Sequence, residues 1–192
     1  MQQFPKDDIN DKNKFEIIDT NYIFKGKIMN VKIDTVILED GKPAKREVVE
    51  HGKAVCIIPV DTMGNVYLVL QYRHPFGCVI LEAPAGLVEK DEEPLQCAIR
   101  ELREEIDAVG DEFIYLGEIF PSPGYVNEII HLYFTRIKAF AKGQLDEDEF
   151  LTVKVIPFSQ LIEMINNNEI KDAKTIIGAL RVQNLYPELT KN

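Results

Sequence analysis

Residues 86–108, GLVEKDEEPLQCAIRELREEIDA, carry the most regular signal in the chain. Leu95, Ala98, Ile99, Leu102 and Ile106 fall at i, i+3, i+4, i+7 and i+11. At about 3.6 residues per turn they form one apolar stripe, which predicts a helix over 93–106. Pro94 suits its first turn, where a missing N–H costs nothing. Glu101, Glu104 and Glu105 stand at i, i+3 and i+4 on one flank of the stripe, where like charges repel. The nearest cations, Arg100 and Arg103, are expected to point elsewhere at about 100° per residue. A solvated acidic face usually intersperses lysine at this spacing. A hard divalent cation would resolve the repulsion instead, because Mg²⁺ prefers oxygen ligands and keeps waters that a substrate phosphate can replace.

Upstream of this segment the pattern is β-like. Two apolar runs, 54–60 and 66–72, flank Asp61-Thr62-Met63-Gly64-Asn65, which supplies the positive-φ residue of a tight connection. They predict adjacent core strands. Residues 15–50 alternate or carry β-branched side chains around the turn-forming 39–43, a predicted hairpin region. Residues 1–14 are polar and read as a loose arm. Downstream, strands are predicted at 113–119, 129–137 and 152–157, then helices at 159–167 and 173–184, the last with Asp172 as N-cap. Mixed strands with interspersed helices make the fold class α/β (α+β mixed), a layered sandwich and not a doubly wound parallel sheet.

The 192 residues hold 22 Lys+Arg against 32 Asp+Glu, a net charge of −10, which works against sequence-independent nucleic-acid or anionic-membrane binding. No apolar run reaches the roughly 18 residues of a membrane span, and the start lacks the apolar core of a secretory signal. A cytoplasmic protein is therefore expected. Cys56, Cys78 and Cys97 are odd in number and set in apolar surroundings, which predicts three reduced, buried thiols. His51, His74 and His131 lack metal-site spacing, which argues against structural zinc. Neither serine lies in a G-x-S-x-G elbow, and neither a G-x-G-x-x-G nor a P-loop motif occurs.

The 86–108 segment matches G-x(5)-E-x(7)-R-E-U-x-E-E-x-G-U, with U apolar, at Gly86, Glu92, Arg100, Glu101, Leu102, Glu104 and Glu105, and departs from it only at Asp107. This pattern resembles the Nudix box. The strings QYR (71–73), LEAPAG (81–86), SPGYVNE (122–128), DEDEF (146–150) and DAKTIIGAL (172–180) look like the ADP-ribose pyrophosphatase branch, in which a proline some 15 residues past the box, here Pro123, is usual.

The resemblance implies a Nudix-type α/β/α sandwich with a mixed sheet over 51–192. It also implies an N-terminal antiparallel β-region, 15–50, that exchanges between the subunits of a homodimer. It implies Mg²⁺, with Mn²⁺ as a substitute, held by Glu101, Glu105 and the Ala85 carbonyl, with Glu149 as an additional ligand. Glu147 would accept the proton of the attacking water, Glu104 would ligate or orient, and Glu128 would orient or serve as the alternative base. Arg100 would pair with Glu92. Arg46 and Arg73 would hold phosphates or the terminal ribose, Glu82 would accept a ribose or adenine hydrogen bond, and Gly124 would bring backbone N–H groups to the substrate. An aromatic stack for the base is expected, with Tyr22 and Phe24 as open alternatives. The reaction implied is hydrolysis of a small-molecule nucleotide sugar, ADP-ribose, to AMP and ribose 5-phosphate. Another nucleoside diphosphate derivative is the alternative, and a non-catalytic ADP-ribose sensor is the rival.

Overall fold

Ala54–Val60 is buried at all seven positions, with β-branched residues at four of them, and the fold is assembled around it. The structure is a computed structural model describing residues 15–141 and 151–190. These residues divide into two compact units, 15–51 with 122–127, and 52–121 with 128–190.

The first unit is a three-stranded antiparallel sheet in the order β1 (Glu16–Lys25), β2 (Met29–Ile37), β3 (Pro43–His51). Gly41, at φ 79°, closes the β2–β3 turn. The 122–127 loop joins this sheet through the Val49 N–H bond to the Tyr125 carbonyl, 2.7 Å, and through Asn127 Oδ1, which accepts from the His51 N–H at 2.8 Å. β1, which the sequence pattern did not resolve as a separate strand, is exposed at every residue.

The second unit holds a seven-stranded mixed sheet. Its main path runs β10 (Thr152–Pro157), β5 (Asn65–Arg73), β4 (Ala54–Val60), β9 (Ile130–Phe140), β8 (Ala108–Ile119). The β4–β9 pair is parallel and the others are antiparallel. β4 and β5 meet only at Val60 and Val66, beside the turn closed by Gly64 at φ 83°, and then part. The chain leaving β5 returns as β6 (Cys78–Glu82) along β5, then as β7 (Ala85–Leu87) along the first half of β4. This divergence puts the LEAPAG stretch next to the centre of the sheet.

Alternation along β4 feeds two cores. Cys56, Ile58 and Val60 pack with Phe158, Leu161 and Ile162 of α2 (Phe158–Asn166) and with Ala179 and Val182 of α3 (Ala173–Leu185). Val55 and Ile57 pack with Cys97, Ala98, Leu102 and Ile106 of α1 (Pro94–Ile106). Helices thus cover both faces of the sheet, an α/β/α sandwich. No helix among the described residues is long and apolar enough to cross a membrane.

Two expectations are corrected. Cys78 is exposed at the start of β6, so only Cys56 and Cys97 are buried thiols. On α1, Leu95 and Ile99 are about 40% exposed, whereas Glu101 and Glu105 are buried. The buried face keeps Ala98, Leu102 and Ile106 of the stripe but extends to the two carboxylates in place of Leu95 and Ile99, where α1 packs on β4, β7 and β8.

Candidate active site

α1 starts at Pro94, whose ring pre-sets the first turn, and ends at Asp107, whose φ of 54° is the left-handed conformation that the family glycine would adopt. The Asp107 N–H bonds to the Leu102 carbonyl and so completes the cap. Between these ends the helix presents Glu101, 7% exposed, and Glu105, 3% exposed, to the edge of β7. Carboxylates so far removed from water are costly unless hydrogen-bonded or charge-compensated.

Glu105 Oε2 accepts from the Ala85 N–H at 3.0 Å. Glu101 lies so close to the next residue that a Cβ built on Gly86 would fall 1.9 Å from Glu101 Oε1. Gly86 has an ordinary φ, and its requirement is room for this carboxylate.

Arg100 organises the outer side of the cluster. Its Nε and Nη2 donate to the two oxygens of Glu92, both at 3.0 Å, and Nη2 also reaches the Leu87 carbonyl at 3.2 Å. The pairing expected with Glu92 is therefore present and ties the 87–93 loop to the helix. It holds the Glu92 carboxyl at about pKa 2, well below its ordinary 4.5. The expectation that Arg100 points away from the acidic flank is corrected: Nη1 donates to Glu101 Oε1 at 2.6 Å and to Glu104 Oε2 at 2.9 Å. Arg100 and Glu104 are an i, i+4 pair, and the long guanidinium stem spans back to Glu101. Arg103 is exposed.

Among the described residues no three His, Cys, Asp or Glu side chains converge at metal-ligand spacing. Arg100 Nη1 bridges Glu101 and Glu104. The donor set nonetheless fits a hard divalent cation: oxygen donors only, two of them nearly buried, against a strand edge where Gly86 leaves room for the Glu101 carboxylate.

A second charged group lies beside it. Arg73, at the end of β5, makes a two-pronged ion pair with Glu82 of β6, Nε to Oε1 at 2.6 Å and Nη2 to Oε2 at 2.9 Å. Lys174, in the first turn of α3, donates to the same Glu82 and to Asp172 Oδ1 at 2.9 Å. Glu82 is only 2% exposed. Burial pushes its pKa up, but Arg73 and Lys174 together outweigh it and hold the carboxyl below its ordinary range. Asp172 caps α3 as expected, accepting the Thr175 N–H at 3.0 Å.

The other expected residues sit apart from this description. Arg46 is exposed on β3 of the first unit, with its guanidinium over the Phe15 ring. Gly124 is exposed in that unit's 122–127 loop, with nothing near a built Cβ. Tyr22, also in that unit, donates to Glu50. Glu128 is half-buried just before β9. Glu147 and Glu149 lie outside the described residues. The sequence reading missed Lys174 and Thr175 as individual residues, although DAKT was singled out as a string.

The model of the NUDIX domain matches residues 50–177, and that of the nucleoside diphosphate sugar hydrolase N-terminal domain matches 15–49. An ADP-ribose pyrophosphatase of Bacillus subtilis is 36% identical over 155 residues, 80% of this chain and 84% of its own. A methanol dehydrogenase activator of Bacillus methanolicus is 37% identical over 169 residues, 86% of this chain and 91% of its own. Other relatives carry the name GDP-mannose pyrophosphatase. A crystal structure of an ADP compounds hydrolase, 17% identical, shares the fold with a TM-score of 0.83 over 94% of this chain and 98% of its own. The chain belongs to the Nudix family. It is a Nudix hydrolase.

Proposed function

We propose that the protein hydrolyses the pyrophosphate bond of ADP-ribose, adding water to give AMP and ribose 5-phosphate. The observation that carries this reading is the pair of buried glutamates, Glu101 and Glu105, set against the Ala85–Gly86 strand edge, where a Cβ on Gly86 would collide with the Glu101 carboxylate. Glu101, Glu105, Glu149 and the Ala85 carbonyl would hold Mg²⁺, or Mn²⁺ in its place. The bound cation offsets diphosphate charge and lowers the pKa of the attacking water. Glu147 takes that water's proton, with Glu128 as the alternative base, a form of assistance worth about 10²- to 10⁴-fold in rate. Glu104 orients the cluster through Arg100. Arg46, Arg73 and the Gly124 backbone bind the phosphates and terminal ribose, and Glu82 takes part through its pairing with Arg73.

Residues 15–50 are proposed as the dimerising β-region of a homodimer and 51–192 as the hydrolase domain; the arm expected over 1–14 lies outside the described residues. A cytoplasmic location suits the free, buried thiols of Cys56 and Cys97.

GDP-mannose is the second reading, favoured by the names of several relatives at 34–37% identity. A panel of ADP-ribose, ADP-glucose, GDP-mannose and FAD with Mg²⁺, with products identified by chromatography, tests both. The highest kcat/KM is expected for ADP-ribose, with AMP released. A higher value for GDP-mannose transfers the assignment, and binding of ADP-ribose without AMP release removes the hydrolytic reading.

A further inference from the structure

Three consecutive residues before the metal-site glycine are each held by a different element. The Ala83 N–H donates to Thr175 Oγ1 of α3 at 2.8 Å. The Pro84 carbonyl accepts from the Ile57 N–H of β4 at 2.8 Å. The Ala85 N–H donates to Glu105 Oε2 of α1 at 3.0 Å. Only the middle contact is the ordinary backbone bonding of a sheet. The outer two run to side chains, and they link the start of α3 to the carboxylate helix across three residues.

The α3 end of this link is itself pinned. Thr175 is fully buried, and its hydroxyl is used twice, accepting from Ala83 and donating to Asp172 Oδ2 at 2.5 Å. Asp172 Oδ1 holds Lys174, and Lys174 holds Glu82, the residue just before Ala83. Arg73, Glu82, Lys174 and Asp172 sum to zero charge, so the group is self-compensated. Its geometry fixes residues 82 and 83 from the side chain and from the backbone at once.

We propose that Asp172, Lys174 and Thr175 are positioning residues for the metal site: they set the Ala83–Ala85 backbone, which in turn sets Glu105 and the edge facing Glu101. The inference rests on the metal reading of those glutamates given above. Thr175→Val keeps the side-chain shape but leaves the buried Ala83 N–H without its acceptor and takes the hydroxyl donor from Asp172 Oδ2, which keeps the Thr175 N–H. The backbone then relaxes two residues from the Glu105 contact, where small displacements matter.

The test uses the full chain, with Mn²⁺ as the metal probe, titrated by electron paramagnetic resonance in the absence of nucleotide. For Thr175→Val the Mn²⁺ Kd is expected to rise about 10-fold and kcat to fall about 10- to 100-fold, the usual cost of losing an outer partner of a metal ligand. KM for ADP-ribose should stay within about threefold, and Thr175→Ser, which retains the hydroxyl, should restore both quantities. A protein that is merely less stable shows a lower Tm with unchanged Mn²⁺ affinity, and that result overturns the proposal. So does a Thr175→Ser variant as impaired as Thr175→Val. If Thr175→Val does not fold, Lys174→Met takes its place: the same rise in Kd and fall in kcat are expected, and an unchanged Mn²⁺ affinity again overturns the proposal. A wild-type chain that takes up no Mn²⁺ overturns the metal reading and this inference with it. Wild-type uptake with an unchanged Kd in the variants overturns this inference alone.

Discussion

Gly86 shows what a single hydrogen in place of a methyl group does for a buried carboxylate cluster. A Cβ here would stand 1.9 Å from Glu101 Oε1 and 2.5 Å from Oε2, but the obstructed atoms are the end of a side chain and not backbone. In Gly86→Ala the carboxylate is therefore expected to swing away while the strand keeps its pairing to Val55. Overpacking of this kind costs roughly 1–3 kcal/mol of stability. Loss of one charge-stabilising group costs about 10²- to 10³-fold in kcat. Activity should thus collapse in a protein that still unfolds cooperatively, measured by Mg²⁺-dependent AMP release beside a thermal melt. Wild-type turnover in Gly86→Ala would remove Glu101 from the metal site. The glycine was legible in the sequence because it opens a 23-residue pattern, but its reason was not, since no local rule places residue 101 against residue 86. The Arg100 contacts show the same limit. Its bond to Glu92 followed from the motif, whereas its reach to Glu101 and Glu104 depends on a rotamer that helical periodicity does not specify.

At the scale of elements, periodicity located α1 and the buried Ala98, Leu102 and Ile106, but not the whole of its inward face. The stripe drawn through Leu95 and Ile99 assumes that apolar residues choose the buried side. In the fold Glu101 and Glu105 take two of the buried positions, beside the Ala85–Gly86 edge of β7. β7 itself is three residues long and bears no alternation, so it exists only through its pairing with Ala54, Val55 and Cys56. The preceding loop, 87–93, is tied to α1 by the Glu92–Arg100 pair, and this tie has a pH signature. With Arg100 bonded to it, Glu92 titrates at about 2 in the fold against an ordinary 4.5. The folded state therefore favours the ionised form. Its contribution is fully present above about pH 5, fades as the pH falls through 4.5 toward 2, and is absent below. Glu92→Gln should accordingly lower Tm by a constant amount from pH 7 down to about pH 5, with the gap from wild type narrowing at lower pH. Melts of both proteins from pH 7 to pH 3 read this directly, and a gap of the same size throughout would dissociate Glu92 from Arg100.

At the scale of the whole molecule, β1 raises a different question. All ten of its residues are exposed, among them Ile17 at 57%, Ile18 at 53%, Ile23 at 58% and Phe24 at 52%. The register of β1 on β2 shifts at Ile18 and Ile23, so these exposed apolar side chains do not follow strict strand alternation. An isolated chain with such a strand presents a pairing and aggregation surface that natural sheets normally blunt with charge or cover. The proposed homodimer supplies the cover. Sequence patterning hid this surface, because an exposed apolar strand and a core strand read alike until burial is known. Sedimentation of the 21.9 kDa chain should give a mass about twice that value at micromolar concentration. Replacing Ile17 and Ile23 together by Asp removes two side chains whose burial is worth about 1.5–3 kcal/mol each and, in a two-fold interface, does so twice. At about 1.4 kcal/mol per tenfold in Kd, that is enough to leave the variant monomeric in the micromolar range. Because both positions are already exposed within the chain, the monomer's own melting should change little. A wild-type monomer, or a variant that remains dimeric, would mean that β1 is covered by something other than a second copy.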